Sequence, residues 1–455
     1  MEVMPEINYK AYSLHNFRSI PEMKLLSEEE LFDIEVVGHV LPFKVNNYVI
    51  DELIDWTDYR HDAMFRLTFP QKDMLSKTHF DKMAAAMRKT SDKQELKAVA
   101  NEIRLELNPH PAGQMELNVP MLDDIKLTGI QHKYRQTVLF FPSSGQTCHS
   151  YCTFCFRWPQ FVGMDELKFA MRETELLIQY LEEHQEATDL LFTGGDPMVM
   201  SYKVFSSFIE PILADTNKTN IQTIRIGTKS LAYWPYKFLT DKDADQFIDL
   251  FERIVQKGIN LAFMAHFNHP QELQTEAVAR AVERIRATGA QIRTQSPLLN
   301  NINADPDIWA EMWRKQVNMN MIPYYMFIAR DTGAQRYFEV PIVDAWHIFR
   351  KAYQQVSGVC RTVRGPSMSC TPGKVQVLGV NEMPLNGKME KVITLRMIQG
   401  RNPDWVARPF FAKYDPNAKW MNDLKPAFGD TFFFEQELEQ MYHEKVDQGE
   451  HANFE

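Results

Sequence analysis

Six short runs rich in β-branched and apolar residues, each followed by a stretch of helical periodicity, constrain the fold of this chain more than any other feature. They lie at 138–141, 190–193, 224–228, 261–267, 292–299 and 322–327. Within 271–287, Leu273, Ala277, Val278, Ala281, Val282 and Ile285 fall on one helical stripe, and Gly289 is a natural stop. Leu167, Ala170, Met171, Thr174 and Ile178 make a similar stripe after the first run. Strands alternating with helices at roughly 30–50-residue spacing predict parallel βα units and an α/β fold. Right-handed crossovers then give an incomplete, TIM-like (β/α)6 barrel with its chemistry at the C-terminal ends of the strands.

The remainder of the chain reads as two additions to that core. Residues 1–112 are polar and mainly helical, with helix-like stretches around 27–35, 47–65 and 78–105. Pro109, Pro111 and Gly113 mark the boundary, because a helix cannot continue through them. The core is expected over 113–375. A mixed extension covers 376–455, with strand-like 374–380 and 392–399 and an aromatic run at 432–434 before a polar tail expected to fray. At 455 residues there is ample material for one large domain with extensions.

The most informative chemistry lies directly after the first strand. Cys148, Cys152 and Cys155 are spaced Cys-x3-Cys-x2-Cys, with the aromatic Phe154 before the third. Three thiolates from one tight loop hold three irons of a [4Fe–4S] cubane and leave the fourth iron open. A structural zinc site wants a fourth protein ligand, and His149, beside Cys148, is badly placed to supply it. Cys360 and Cys370 leave no disulfide framework. The net charge of −10 argues against nucleic acid, and the N-terminus lacks the basic and apolar regions of a signal peptide. These features predict a cytoplasmic enzyme without membrane spans. The 24 methionines are scattered, as core filler would be.

The cysteine run resembles the signature of the radical S-adenosylmethionine (SAM) superfamily. After the second strand, Gly194, Gly195 and Asp196 are expected to contact SAM, with Asp196 or nearby carbonyls accepting from its ammonium. A narrower resemblance runs in order along most of the chain, to the lysine 2,3-aminomutase family. It is carried by Arg66–Gln71, His132-Lys133-Tyr134, the cysteine loop with Phe156-Arg157, Gly194-Gly195-Asp196, His266 to Pro270, Gln295-Ser296 with Leu298-Leu299, and Pro323-Tyr324-Tyr325. That family implies a partial barrel, a [4Fe–4S] cluster, SAM, and pyridoxal 5′-phosphate (PLP) carrying the migrating amino group. It implies a small amino-acid substrate and an electron donor such as flavodoxin or ferredoxin. Neither nucleic acid nor a membrane is an expected partner, and self-association into a homo-oligomer is left open.

Carried over residue by residue, the resemblance implies SAM contact at Phe154 and an α-carboxylate grip at Arg157. Lys133 and Tyr134 fall on the PLP phosphate and His266 and Gln295 beside the ring. Lys374 takes the position of the PLP lysine, although only Gly373 survives of the preceding glycine run. A further phosphate-side arginine falls at Thr137. The positions where lysine-specific members hold aspartates fall at Arg330 and Ser367, or at Arg364 if a gap is allowed. An arginine there would repel an ammonium and pair with a carboxylate, so an acidic substrate such as glutamate is expected. A one-residue slip would instead bring Asp331 to the site and restore lysine. The competing readings are a PLP-independent radical SAM enzyme acting on an amino-acid-like metabolite, and a non-catalytic binding or accessory relative.

Overall fold

The structure, a computed structural model, describes residues 7–114, 117–164, 170–385 and 387–447. Its centre is one mixed sheet whose strand order follows the chain. Six parallel strands, β1 (Thr137–Phe140), β2 (Asp189–Phe192), β3 (Thr223–Thr228), β4 (Asn260–His266), β5 (Gln291–Leu298) and β6 (Ile322–Ile328), match the six runs within a residue or two. Between them lie α1 (Thr174–Glu183), α2 (Tyr202–Leu213), α3 (Ala244–Gln256), α4 (Glu276–Ala287) and α5 (Pro306–Asn318). Helix α6 (Ile342–Gln354) leads to a further parallel strand, β7 (Arg364–Ser369). Antiparallel strands β8 (Gly373–Leu385), β9 (Lys388–Gly400) and β10 (Pro409–Lys413) extend that edge, and Ile130–Tyr134 lies antiparallel to β1 at the other.

Because each βα unit steps in the same direction, right-handed crossovers send the helices to one face of the sheet. Strand β5 shows the consequence. Ile292, Thr294, Ser296 and Leu298 are buried, and Thr294 Oγ1 donates to Gln316 Oε1 of α5 at 2.7 Å. Arg293 and Gln295 point to the other face, as period-2 alternation requires. There Gln295 pairs with His266 on β4 and Tyr325 on β6. The sheet also curls. Lys133, on the edge strand, donates from Nζ to the carbonyl of Cys370 at the end of β7. The helix-free face is therefore concave.

Several expectations for the flanking regions need correction. Residues 47–65 are not one helix but short turns, Val49–Leu53 and Trp56–Asp58, followed by a helix over Ala63–Thr68. Asp55 and Asp62 each cap the turn that follows them and so break the run. The stretch 78–105 is two helices, Lys77–Lys89 and Lys93–Glu106, capped by Ser76 and Asp92. The stripe after the first run becomes helical only at Thr174, and Leu167 lies outside the described residues. The tail does not simply fray: Glu435–Asp447 is a helix whose Glu437 accepts from Trp405 Nε1 at 2.7 Å. Gly289, at φ +88°, ends α4 as expected. Among the described residues no helix is long and apolar enough to cross a membrane.

Thr294→Val removes a buried donor while keeping the side chain's shape, leaving Gln316 Oε1 without its partner. Urea unfolding should show a loss of about 1–3 kcal/mol, partly restored by Thr294→Ser. An unchanged midpoint would contradict this assignment of the helix-facing side of β5.

Candidate active site

The chemistry-bearing residues gather where the parallel strands end. The cysteine loop follows β1, Gly194 to Asp196 follow β2, Lys229 follows β3, His266 closes β4, and Arg330 follows β6. Lys374 lies at the start of β8, paired with Ser369 at the end of β7. Lys133, Tyr134, Arg157, His266, Arg330 and Lys374 are all half-buried, yet desolvation is the dominant influence on the charge of each. Side chains that keep accessible surface while protein surrounds them line an enclosed chamber.

The cysteine loop is held mainly from the N-terminal region. Lys44 Nζ donates to the Cys148 carbonyl (2.7 Å) and to Thr147 Oγ1 (3.3 Å). The Tyr151 N–H donates to the Lys44 carbonyl (2.8 Å), and Thr153 donates through its N–H to Leu67 (2.9 Å) and through Oγ1 to Arg66 (2.8 Å). Buried Asn46 donates to the carbonyls of His149 and Tyr233 at 3.3 and 2.8 Å. His149 is occupied elsewhere, its Nδ1 2.9 Å from Ser230 Oγ, and burial lowers its pKa to about 3.

Burial pushes the three thiols up, Cys152 to about 12 and Cys155 to about 11, and repulsion from neighbouring thiols adds to the rise at Cys148 and Cys152. Lys44 acts on Cys148, Lys229 on Cys152 and Arg157 on Cys155 in the opposite sense. Buried thiols ringed by cations suit a ligand that brings its own positive charge to deprotonate them, as iron does. Among the described residues no three His, Cys, Asp or Glu side chains converge on a point as a single metal ion requires. A cubane makes no such demand, since each thiolate holds a different iron.

Asp196 requires a correction. Its carboxylate is 2 % exposed and accepts from Thr228 Oγ1 (2.7 Å), the Lys229 N–H (2.8 Å), the Met198 N–H (2.9 Å) and Ser230 Oγ (3.0 Å). It is saturated within the protein and organises the β2 and β3 turns; no lone pair is left for an ammonium. The glycines are required by the cysteine loop itself. A Cβ at Gly194 (φ +134°) would lie 2.2 Å from Gln146 Nε2, and one at Gly195 would lie 2.3 Å from the Thr147 carbonyl oxygen. Beside them Gln146 Oε1 is a buried acceptor without a partner. Phe154 faces the chamber with its ring 5.6 Å from that of His266.

On the opposite side, the Lys374 ammonium lies 4.2 Å from the centre of the Tyr325 ring. Burial lowers its pKa to about 8; Tyr324 opposes the shift, and Arg225 and Arg364 add to it. Burial also lowers Lys133, and the charges of Arg401, Arg330 and Lys374 reinforce this. Burial raises Tyr134, and Arg401 opposes that shift most strongly. Arg157 and Arg330 share one ring, with guanidinium carbons 4.9 and 5.1 Å from the centre of Phe156. Arg330 Nε is buried without a hydrogen-bond partner. Asp331 is the strongest charged influence on Arg330, while its carbonyl and Oδ2 accept from Asn108 Nδ2 at 2.6 and 3.4 Å.

Ser367 requires a second correction, because it does not line the chamber. It is completely buried, and its hydroxyl donates to the Met326 carbonyl at 3.4 Å. Three cations escaped the sequence reading. Lys229, at the C-terminal end of β3, had a positional signal, whereas Lys44 and Arg401 reach the site only through long-range contacts. Lys229 bonds Glu272 at 2.5 Å and Asn268 Oδ1 at 2.8 Å.

Asp196→Asn places an amide N–H₂ among donors and should destabilise the cofactor-free protein by about 1–3 kcal/mol. Urea unfolding measures this, and stability equal to wild type would contradict the saturated carboxylate.

No protein-family model matches the chain. It is 27% identical over 399 residues, 88% of its own length and 91% of the relative's, to an Aquifex aeolicus (strain VF5) protein carrying the provisional name L-lysine 2,3-aminomutase. The L-lysine 2,3-aminomutase of Clostridium subterminale is 25% identical over 56% of this chain and 58% of its own. The glutamate 2,3-aminomutase of Clostridioides difficile (strain 630) is 25% identical over 45% and 44%. Among solved structures, the radical SAM methyltransferase TsrM of Kitasatospora setae, with cobalamin and a [4Fe–4S] cluster bound, is 13% identical over 42% of this chain and 37% of its own. The TM-score of 0.29 is too low to carry an argument. In its ordered motifs and in an alignment spanning most of both chains, this protein is similar to proteins named L-lysine 2,3-aminomutase.

Proposed function

We propose that this chain is a radical SAM amino-acid 2,3-aminomutase whose substrate is acidic rather than lysine, built on a six-unit partial (β/α) barrel. On this reading 113–375 is the catalytic core, 1–112 clamps the cysteine loop, and 376–455 closes the chamber. The observation that carries it is the convergence of Lys374, Lys133 and Tyr134 on the chamber that also holds the cysteine loop. Thr137, which brings no charge where a phosphate-side arginine is expected, and the loss of all but Gly373 from the glycine run before Lys374 favour a PLP-independent enzyme.

Cys148, Cys152 and Cys155 would hold the cluster. Phe154, the Gly194-Gly195 backbone and the unpartnered Gln146 Oε1 would receive SAM, and Lys374 would hold PLP with its phosphate toward Lys133 and Tyr134. When bound, these groups supply an electron, a hydrogen-abstracting adenosyl radical and an aldehyde that carries nitrogen. The chain's own part is position and charge. Lys374 is nucleophilic as the free amine, and its lowered pKa provides more of that form near neutral pH. His266 and Gln295, side by side on β4 and β5, form the wall of the chamber next to Tyr325. Burial, with Lys229 nearby, keeps His266 neutral. Arg157 would grip the α-carboxylate. Arg330 would receive a second, distal carboxylate, with Asp331 engaged by Asn108. Water is excluded by the surrounding strands and the N-terminal clamp. An electron donor such as flavodoxin or ferredoxin would serve the cluster in a reducing cytoplasm.

Two outcomes test this reading. Borohydride should fix PLP covalently on Lys374, located by peptide mass spectrometry and absent in Lys374→Ala. The trapping rate should climb as pH rises through about 8, because the ammonium loses its proton there. A midpoint near the ~10.4 of a free lysine, or no trapping, would contradict the assignment. Anaerobically reconstituted enzyme should isomerise an acidic amino acid, and Arg330→Gln should lower kcat/KM by about 100-fold through loss of one charge pair. Lysine activity that survives Arg330→Gln unchanged would defeat the acidic-substrate reading.

A further inference from the structure

The phosphate side of the chamber lacks a cation at Thr137, which is buried and pairs with Tyr134 and Asp189. A guanidinium from a distant part of the chain reaches the neighbouring Lys133 and Tyr134. Arg401 follows β9, in the C-terminal extension. Its Nε donates to the Thr371 carbonyl at 2.9 Å and its Nη2 to Asn118 Oδ1 at 2.7 Å. Lys133 donates to the neighbouring carbonyl, that of Cys370. The two cations therefore brace adjacent carbonyls of the single turn that leads into Lys374. The Arg401 N–H donates to the Pro372 carbonyl of that turn at 3.0 Å, which fixes the register. The C-terminal helix holds this corner through Glu437, which accepts from Asn402 Nδ2 and Trp405 Nε1 at 2.5 and 2.7 Å.

The electrostatics agree with the geometry. Arg401 is the strongest charged influence on both Lys133 and Tyr134, the two residues aligned with the phosphate. Lys133, Arg330, Arg401 and Lys374 crowd one corner, and the nearby carboxylate of Asp331 is turned to Asn108. A cationic corner of this kind suits a dianion with several acceptor oxygens, which a phosphate monoester provides.

We infer that Arg401 completes a phosphate-monoester seat with Lys133 and Tyr134, so that the C-terminal extension supplies the charge missing at Thr137. The inference rests on the proposed PLP site and names the residue that anchors its phosphate end. Arg401 is a positioning residue: it orients the group that Lys374 holds and does not touch the reacting carbon.

The test compares PLP with pyridoxal, which has the same aldehyde but no phosphate, as reagents for Lys374 in the full-length protein. Concentration dependence of borohydride-fixed product gives an apparent affinity for each. Wild type should prefer PLP strongly. Arg401→Gln should weaken PLP by at least tenfold, about 1.4 kcal/mol, and leave pyridoxal unchanged, while Arg401→Lys should recover part of the loss. An unaltered PLP preference in Arg401→Gln overturns the inference. Equal loss of both reagents also overturns it, since Arg401 would then merely support the turn. Wild type that fixes neither reagent defeats the PLP reading itself, a failure distinguishable from that of Arg401 alone.

Discussion

Buried positive charge gathered in one place is the constraint on which this structure turns. Lys133, Arg157, Arg330, Lys374 and Arg401 surround one chamber, and burial lowers the pKa of each. Other buried cations are satisfied singly, Lys237 by Asp243 at 2.9 Å and Arg104 by the carbonyls of Val40 and His39 at 2.8 and 2.7 Å. So many cations at the C-terminal ends of parallel strands suit anions from outside the chain, as the proposed function requires. The thiols obey the complementary rule: their own charge is costly until an iron centre supplies the opposite sign.

The three parts of the chain cooperate through this chamber. The N-terminal region grips the cysteine loop through Lys44, Asn46 and the Arg66-Leu67 backbone. Curling of the sheet brings the Ile130–Tyr134 edge strand against the end of β7. The C-terminal hairpin then delivers Arg401 to the same corner. The glycines after β2 serve this architecture first, by letting the second turn pack on the cysteine loop, and Asp196 locks that turn to β3.

Much of this was legible in the sequence, for a physical reason. The six parallel strands are short β-branched runs buried on the helix side, and such runs announce themselves locally. Strand β7 was hidden because Gly365-Pro366 reads as a turn, and the Ile130–Tyr134 strand because His132, Lys133 and Tyr134 are polar. The long stretch around 47–65 looked continuous until Asp55 and Asp62 capped its turns. Local motif order led to the cysteines, Lys374 and Arg330, but it could not reveal which side chains were already satisfied. Asp196 and Ser367 were misread for that reason, since saturation by partners far along the chain leaves no trace in spacing. Arg401 was invisible on the same ground: nothing around Gly400 hints that its neighbour meets Lys133.

The most direct test is a crystal structure of anaerobically reconstituted protein grown with SAM and PLP. The account predicts a cubane on Cys148, Cys152 and Cys155 with its free iron toward Gly194-Gly195, and a phosphate against Lys133, Tyr134 and Arg401. A chamber whose cations meet no anion, or a cluster bound by any other set of ligands, would contradict it.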